Sequence, residues 1–272
     1  MGGQSSAGAP APGPGGEPDR RRRRGIYLLP NLFTTASLFA GFYAMVMAMS
    51  GRFIEAAIAI FVAGVLDGAD GRIARMTNTQ SAFGAEYDSL ADMVAFGVAP
   101  ALIAYQWALS GLGKIGWLAA FFYAAATALR LARFNTQLGT ADKRYFQGLP
   151  CPSAAALVAG LVWVVSDFGI AGHEVTVLAL PVTVLAGALM VSNIRFYSFK
   201  DLDLGDRVPF VTVLVVVLVL MLISSNPPLV LFGAALVYAV SGPLMTLIEV
   251  RRRRAAKRAA LAAGAARRAR PE

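Results

Sequence analysis

Asp67, Asp70, Asp88 and Asp92 sit in two stretches that are otherwise apolar enough to cross a bilayer. An ionised carboxylate without a partner costs about 3 kcal/mol at the centre of a membrane helix, so this concentration of acids calls for a cation. The spacing is helical. Asp67 and Asp70 are i and i+3, Asp88 and Asp92 are i and i+4, and each pair therefore projects from one face of its helix. Donors that are all oxygen suit hard divalent cations such as Mg²⁺ or Mn²⁺, and two metals about 3.5–4 Å apart are a common device in phosphoryl chemistry. The substrate so implied carries phosphate. Two plainer readings compete: a structural ion network with Arg72, Arg75 and Arg130, and a path for transported cations. A network needs no regular spacing, and a path should continue in polar residues to the far face, where Ala56 to Leu66 offers none. Small residues surround the acids (Gly68, Ala69, Gly71, Ala74, Gly84, Ala85, Ala91), leaving room for a ligand or a close helix crossing.

The elements that must position these acids are membrane helices. Of 272 residues, 57% are hydrophobic and 15% charged, and the mean hydropathy is +0.59, outside the range of soluble domains. A hydrocarbon core about 30 Å thick needs roughly 20 apolar residues at helical rise. Eight runs approach that length: Leu32 to Met49, Phe53 to Arg75, Gly84 to Leu109, Ile115 to Phe134, Ser153 to Ile170, Val175 to Ser192, Pro209 to Ser225 and Leu229 to Val250. The expected fold is an all-α, polytopic helical membrane protein with about eight transmembrane helices. Residues 1–25 read as a disordered basic tail, 26–250 as one transmembrane domain and 251–272 as a second basic tail. Entering at Phe53, Asp67 lies about 21 Å deep, while Asp88 and Asp92 lie about 6 and 12 Å in from Gly84, so all share one half of the bilayer. The short connection from Met76 to Phe83 predicts that these two helices are antiparallel neighbours.

The formal charge is +9, yet residues 1–25 carry +3, residues 249–272 carry +7 and the remainder −1. Basic tails beside apolar spans read as topology signals and anchors on anionic headgroups, with no nucleic-acid partner expected. With eight spans, 23 of the 25 basic residues fall on one side and only Arg52 and Lys114 on the other. By the positive-inside rule, that side and both termini face the cytoplasm, and the location is the cell's inner membrane. Cys151 is the single cysteine, so no internal disulfide is available.

In order, the residues read Asp67, two residues, Asp70-Gly71, two residues, Ala74-Arg75, eight residues, Gly84, three residues, Asp88, three residues, Asp92. This pattern, with eight fixed positions in 26 residues, resembles the signature of the CDP-alcohol phosphatidyltransferases. The resemblance implies transfer of a phosphatidyl group from a CDP-linked lipid to an alcohol, with CMP released. It implies that Asp67, Asp70, Asp88 and Asp92 bind divalent metal, Mg²⁺ or Mn²⁺, and that Asp92 is also the general base. Gly71, Ala74, Arg75 and Gly84 map to positions lining the nucleotide-diphosphate site, and a homodimer is expected from the resemblance alone.

Three further segments bear on the acceptor. In Leu29-Pro30-Asn31 followed by Thr34, Asn31 reads equally as a helix cap or as a nucleotide contact, with Thr34 beside it. Arg130, Arg133 and Asn135 close the fourth span; both arginines could snorkel, or could bind an acceptor carboxylate or a lipid phosphate through the guanidinium fork. Arg133-Phe134-Asn135, then Phe146-Gln147-Gly148-Leu149-Pro150-Cys151-Pro152 and the segment Ser192 to Lys200, resemble the phosphatidylserine-forming branch of the family. The substrates so implied are CDP-diacylglycerol and L-serine; glycerol 3-phosphate, an inositol phosphate or choline is the alternative acceptor, and a divalent-cation transporter is the alternative from another class.

Overall fold

The computed structural model describes residues 18–77, 81–136, 145–197 and 210–268. Those residues form a bundle of helical rods: α1 (Pro18–Met49), α2 (Phe53–Met76), α3 (Ala82–Leu112), α4 (Lys114–Thr136), α5 (Cys151–Asp167), α6 (Thr176–Val191), α7 (Phe210–Ser225) and α8 (Pro227–Arg268). In lipid each backbone N–H and C=O must be bonded within its own segment, which apolar runs of this length achieve only as helix. Among the described residues, five segments are long and apolar enough to cross a membrane: Pro30–Met49, Ala82–Leu112, Lys114–Thr136, Gly172–Val191 and Pro227–Ile248. The protein is a polytopic all-α membrane protein. The expected eight runs coincide with the eight rods, but α5 is 17 residues long, the apolar part of α7 is Leu214–Ser225, and α2 carries the charges of its acid motif.

Pro18 opens α1, so the Arg20–Arg24 run falls in its first turns; arginine is a good helix former and proline is favoured in a first helical turn. Residues 1–17 lie outside the described residues. Asn31 is consequently interior to α1 and caps nothing. At the other end the basic run from Arg251 continues α8 as helix.

The core is built largely from alanine. Ala40, Ala44 and Ala48 of α1 and Ala56, Ala57, Ala59 and Ala63 of α2 are buried, so these two rods pack closely along their length. A Cβ on Gly41 would stand 2.6 Å from the Ala95 Cα, which makes glycine the condition for α1 to cross α3. The α3 rod is interrupted by π-helical turns at Met93–Val98 and Tyr105–Leu109. The first begins immediately after Asp92, and the buried Tyr123 hydroxyl of α4 donates to the Phe96 carbonyl within it at 3.1 Å. Outward faces remain apolar, as in α7, where Leu214 to Leu222 are all about half exposed toward lipid.

A small antiparallel pair of strands, β1 (Tyr145–Gln147) and β2 (Arg195–Tyr197), ties the ends of α4, α5 and α6 together. Gly148 follows β1 at φ +80°, and a Cβ there would lie 2.1 Å from the Met190 carbonyl oxygen. Glycine alone lets the chain pass under α6 before Pro150 and Pro152 start α5.

The glycine crossing yields a paired prediction. Gly41→Ala should lower thermal stability in detergent by about 1–3 kcal/mol, because the clash is with backbone. Gly68→Ala, where an added Cβ meets nothing within 4 Å, should leave the unfolding temperature unchanged or slightly raised.

Candidate active site

Asp67 and Asp70 lie near the C-terminal end of α2, Asp88 in the second turn of α3 and Asp92 one turn further on. One ligand oxygen from each of Asp67, Asp70 and Asp88 lies within 4.8 Å of the others, a spacing that accommodates a metal ion. The Asp92 carboxyl is within hydrogen-bonding reach of Asp67, so the fourth acid joins the same cluster. Carboxylates this close repel unless a cation or a proton lies between them.

The two helices are neighbours, as the short connection suggests, but they touch beyond the acids and not beside them. Both α2 and the start of α3 pack on α1, while their own backbones make little direct contact. The acids therefore reach toward one another across a cleft whose back wall is α1. Repulsion within the cluster disfavours direct packing beside the acids, and α1 supplies what holds the two helices on either side of it.

The wall is polar where it faces the acids. Buried Thr34 donates its hydroxyl to Asp70 Oδ2 at 2.8 Å, with the Pro30 carbonyl also in reach at 3.1 Å. Asp70 is only 5% exposed, so this bond fixes a carboxylate whose orientation solvent does not set. Thr35 and Tyr87 bond hydroxyl to hydroxyl at 2.9 Å, and Ser37 donates to the Ala63 carbonyl at 3.0 Å, locking α1 to α3 and α2 in turn. Ser81 caps α3 by accepting the Gly84 N–H at 3.0 Å. Asn31 points its amide oxygen at Gly84, 3.6 Å from where a Cβ would be, so Asn31, Thr34 and Gly84 do converge. Gly71 follows Asp70 on α2; Ala74 and Arg75 also belong to α2, and their side chains lie outside the described residues.

The three α4 residues part company. Arg130 is directed inward: its Nη1 donates to Cys151 Sγ at 3.0 Å, its charge acts on Asp92, and its Nε is buried with no partner among the described residues. Arg133 Nη2 bonds Gln147 Oε1 at 2.5 Å and Asn193 Oδ1 at 2.6 Å, so it does not simply snorkel but holds the strand pair onto α4. Asn135 Nδ2 donates to Ser89 Oγ at 3.1 Å, beside Asp88. Between α3 and α4 a shallow groove of about 200 Å³ runs from Glu86, Ser89 and Asn135 to Leu90, Met93 and Leu131, polar at the acid end and apolar beyond.

Sequence reasoning missed Thr35, Ser37, Tyr87, Ser89 and Cys151. Ser81 had a readable signal, a serine placed three residues before Gly84 at the head of an apolar run.

The matched segment decides the family. A family model for CDP-alcohol phosphatidyltransferase matches residues 27–191, which contain every residue of the cluster. The chain belongs to the CDP-alcohol phosphatidyltransferase family. Among its relatives, a Helicobacter pylori protein named CDP-diacylglycerol–serine O-phosphatidyltransferase is 39% identical over 225 residues, 83% of this chain and 94% of the relative. A Mycobacterium leprae protein of the same name is 34% identical over 227 residues, covering 81% and 75% of the two chains. One from Methanocaldococcus jannaschii, again with that name, is 37% identical over 142 residues, covering 52% and 63%. For a member of this family the acid cluster has the donor chemistry of a divalent-cation site: all-oxygen ligands, converging, one fixed by a buried hydroxyl.

Thr34 tests that geometry. Thr34→Val removes the donor that orients Asp70 and should weaken divalent-cation affinity about tenfold or more, read by metal titration of the purified protein, whereas Thr34→Ser should keep it.

Proposed function

We propose that this protein makes phosphatidylserine, transferring the phosphatidyl group of CDP-diacylglycerol to the hydroxyl of L-serine and releasing CMP. What supports the reaction is the convergence of Asp67, Asp70 and Asp88 to within 4.8 Å beside Asp92. What supports serine is the name shared by relatives that align over most of this chain.

Asp67, Asp70, Asp88 and Asp92 would hold a divalent cation, Mg²⁺ or Mn²⁺, whose charge, when bound, would offset that of the diphosphate and of the departing CMP. Asn31, Thr34, Gly71, Ala74, Arg75 and Gly84 line the nucleotide-diphosphate end, where glycine and alanine let the substrate approach the helix backbone. Arg130 receives the serine carboxylate on a guanidinium whose Nε has no partner among the described residues. Arg133, through the strand pair, and Asn135, through Ser89, shape the acceptor entrance.

Asp92 takes the proton of the serine hydroxyl. That oxygen attacks the lipid-side phosphorus in line, the bond from phosphorus to the bridging oxygen breaks, and CMP leaves with the electron pair. The lipid-side phosphorus needs no covalent enzyme intermediate. The site faces the cytosol from the inner membrane, with both termini on that side, and the protein works as a homodimer.

The test is CMP release by purified protein in detergent with CDP-diacylglycerol and Mg²⁺ or Mn²⁺, supplied separately with serine, glycerol 3-phosphate, inositol phosphate or choline. Release that requires serine and disappears on chelation is the expected result. Release with another acceptor only would move the acceptor assignment, and metal flux into proteoliposomes without any lipid product would favour a transporter. Asp92→Asn should lower kcat by about 10²- to 10⁴-fold, the range for loss of a general base, while CDP-diacylglycerol binding survives.

A further inference from the structure

Asp92 ends the first stretch of regular helix in α3, and the π-helical turn Met93–Val98 follows it directly. At the end of that turn the Ala99 N–H donates to the Val94 carbonyl, five residues back instead of four. Bonds of this reach wind the chain less tightly, so the face that follows Asp92 is rotated from the one that carries Asp88 and Asp92. Two neighbours grip the turn. On one side is α1, where a Cβ on Gly41 would meet the Ala95 Cα at 2.6 Å.

On the other side is α4. Gly97 admits Thr127, whose Cγ2 would lie 3.1 Å from a Cβ on that glycine, and the Tyr123 hydroxyl donates to the Phe96 carbonyl at 3.1 Å. Tyr123 and Thr127 are fully buried, and Thr127 Oγ1 donates in turn to the Tyr123 carbonyl at 3.0 Å. Behind them α6 presses in at Gly187, where a Cβ would stand 3.3 Å from the Tyr123 Cα. The tyrosine therefore has little freedom of its own. A phenylalanine would fill the same space with no polar group to satisfy, so what the hydroxyl adds is its bond to the turn.

We propose that Tyr123 is a positioning residue for the reaction: its hydroxyl holds the π-helical turn in register, and the turn holds the direction of the Asp92 carboxyl at its head. This rests on the reading of Asp92 as the base that takes the acceptor proton. Asp67 and Asp70 lie on α2, and Asp88 lies more than a turn before the π segment, beside the Tyr87 that bonds Thr35 of α1. The metal-binding oxygens therefore do not depend on Tyr123. Holding a cation is braced by α1, and moving a proton needs α4 as well.

The experiment is steady-state CMP release by full-length protein in detergent, varying serine and CDP-diacylglycerol independently, with Mn²⁺ binding and thermal unfolding followed on the same preparations. The variants are Tyr123→Phe, Asp92→Asn, the two combined, and Gly97→Ala. Tyr123→Phe should lower kcat about tenfold, the scale of one hydrogen bond, while both KM values and the Mn²⁺ affinity stay within about twofold of wild type. In the Asp92→Asn background it should cost nothing further, since its effect passes through that carboxyl. Gly97→Ala, which pushes α4 back from the same turn and leaves the hydroxyl in place, should also lower kcat with the Mn²⁺ affinity kept. A Tyr123→Phe loss that multiplies with that of Asp92→Asn, or one in which kcat, Mn²⁺ affinity and unfolding temperature fall together, would overturn the proposal. If Asp92→Asn removes turnover while Tyr123→Phe turns over as wild type, Tyr123 has no such role although the reading of Asp92 stands. If Asp92→Asn itself keeps wild-type turnover, the reading of Asp92 fails first, and the proposal with it.

Discussion

The structure is organised around carboxylates that a membrane does not tolerate alone. Each costs about 3 kcal/mol near the centre of a lone helix, and bringing them together adds repulsion. The arrangement is stable when a cation or a proton lies between them and something rigid resists their separation. The rigid part is α1, which packs its alanine stripe along α2, crosses α3 at Gly41, and directs Thr34 at Asp70. Because α2 and the first turns of α3 are each fixed to α1 and little to one another, the space between them beside the acids is a cleft and not a packing seam.

From that constraint the remaining parts follow in order. Asp70 is buried and needs a donor, which Thr34 provides from the wall that α1 forms. Asp92 stands next to the cluster and within electrostatic reach of Arg130, the two groups to which the proposed reaction gives the proton and the acceptor's anionic group. The π-helical turn that starts after Asp92 changes the register of α3 at the point where the acid face gives way to the buried core of Ala95 and Phe96. The strand pair then closes the acceptor end, held by Arg133 on one side and by the Phe196 ring in the space over Gly242 on the other.

Much of the site was legible because its information is local. Asp67, Asp70, Asp88 and Asp92 are separated by helical intervals, and placing two helices suffices to make them converge. The helical rods were legible for the same reason, as length and apolarity decide them in lipid. What depended on the third dimension was not. The length of the connection between α2 and α3 told that they are near, but not that α1 keeps them apart. Asn31 looked like a cap because Pro30 precedes it, and only the helical continuation back to Pro18 places it against Gly84. The hydrogen-bond partner of Arg130 comes from α5, 21 residues downstream, and no spacing rule links residues so far apart.

The central claim is that the four aspartates form one divalent-cation site across the cleft. Mn²⁺ binding to the purified protein, followed by electron paramagnetic resonance, tests it without reference to turnover. The wild type should bind Mn²⁺ saturably, CDP-diacylglycerol should change the signal of the bound ion, and Asp70→Asn on α2 and Asp88→Asn on α3 should each reduce binding sharply. Equal Mn²⁺ binding by the wild type and both variants would contradict the account.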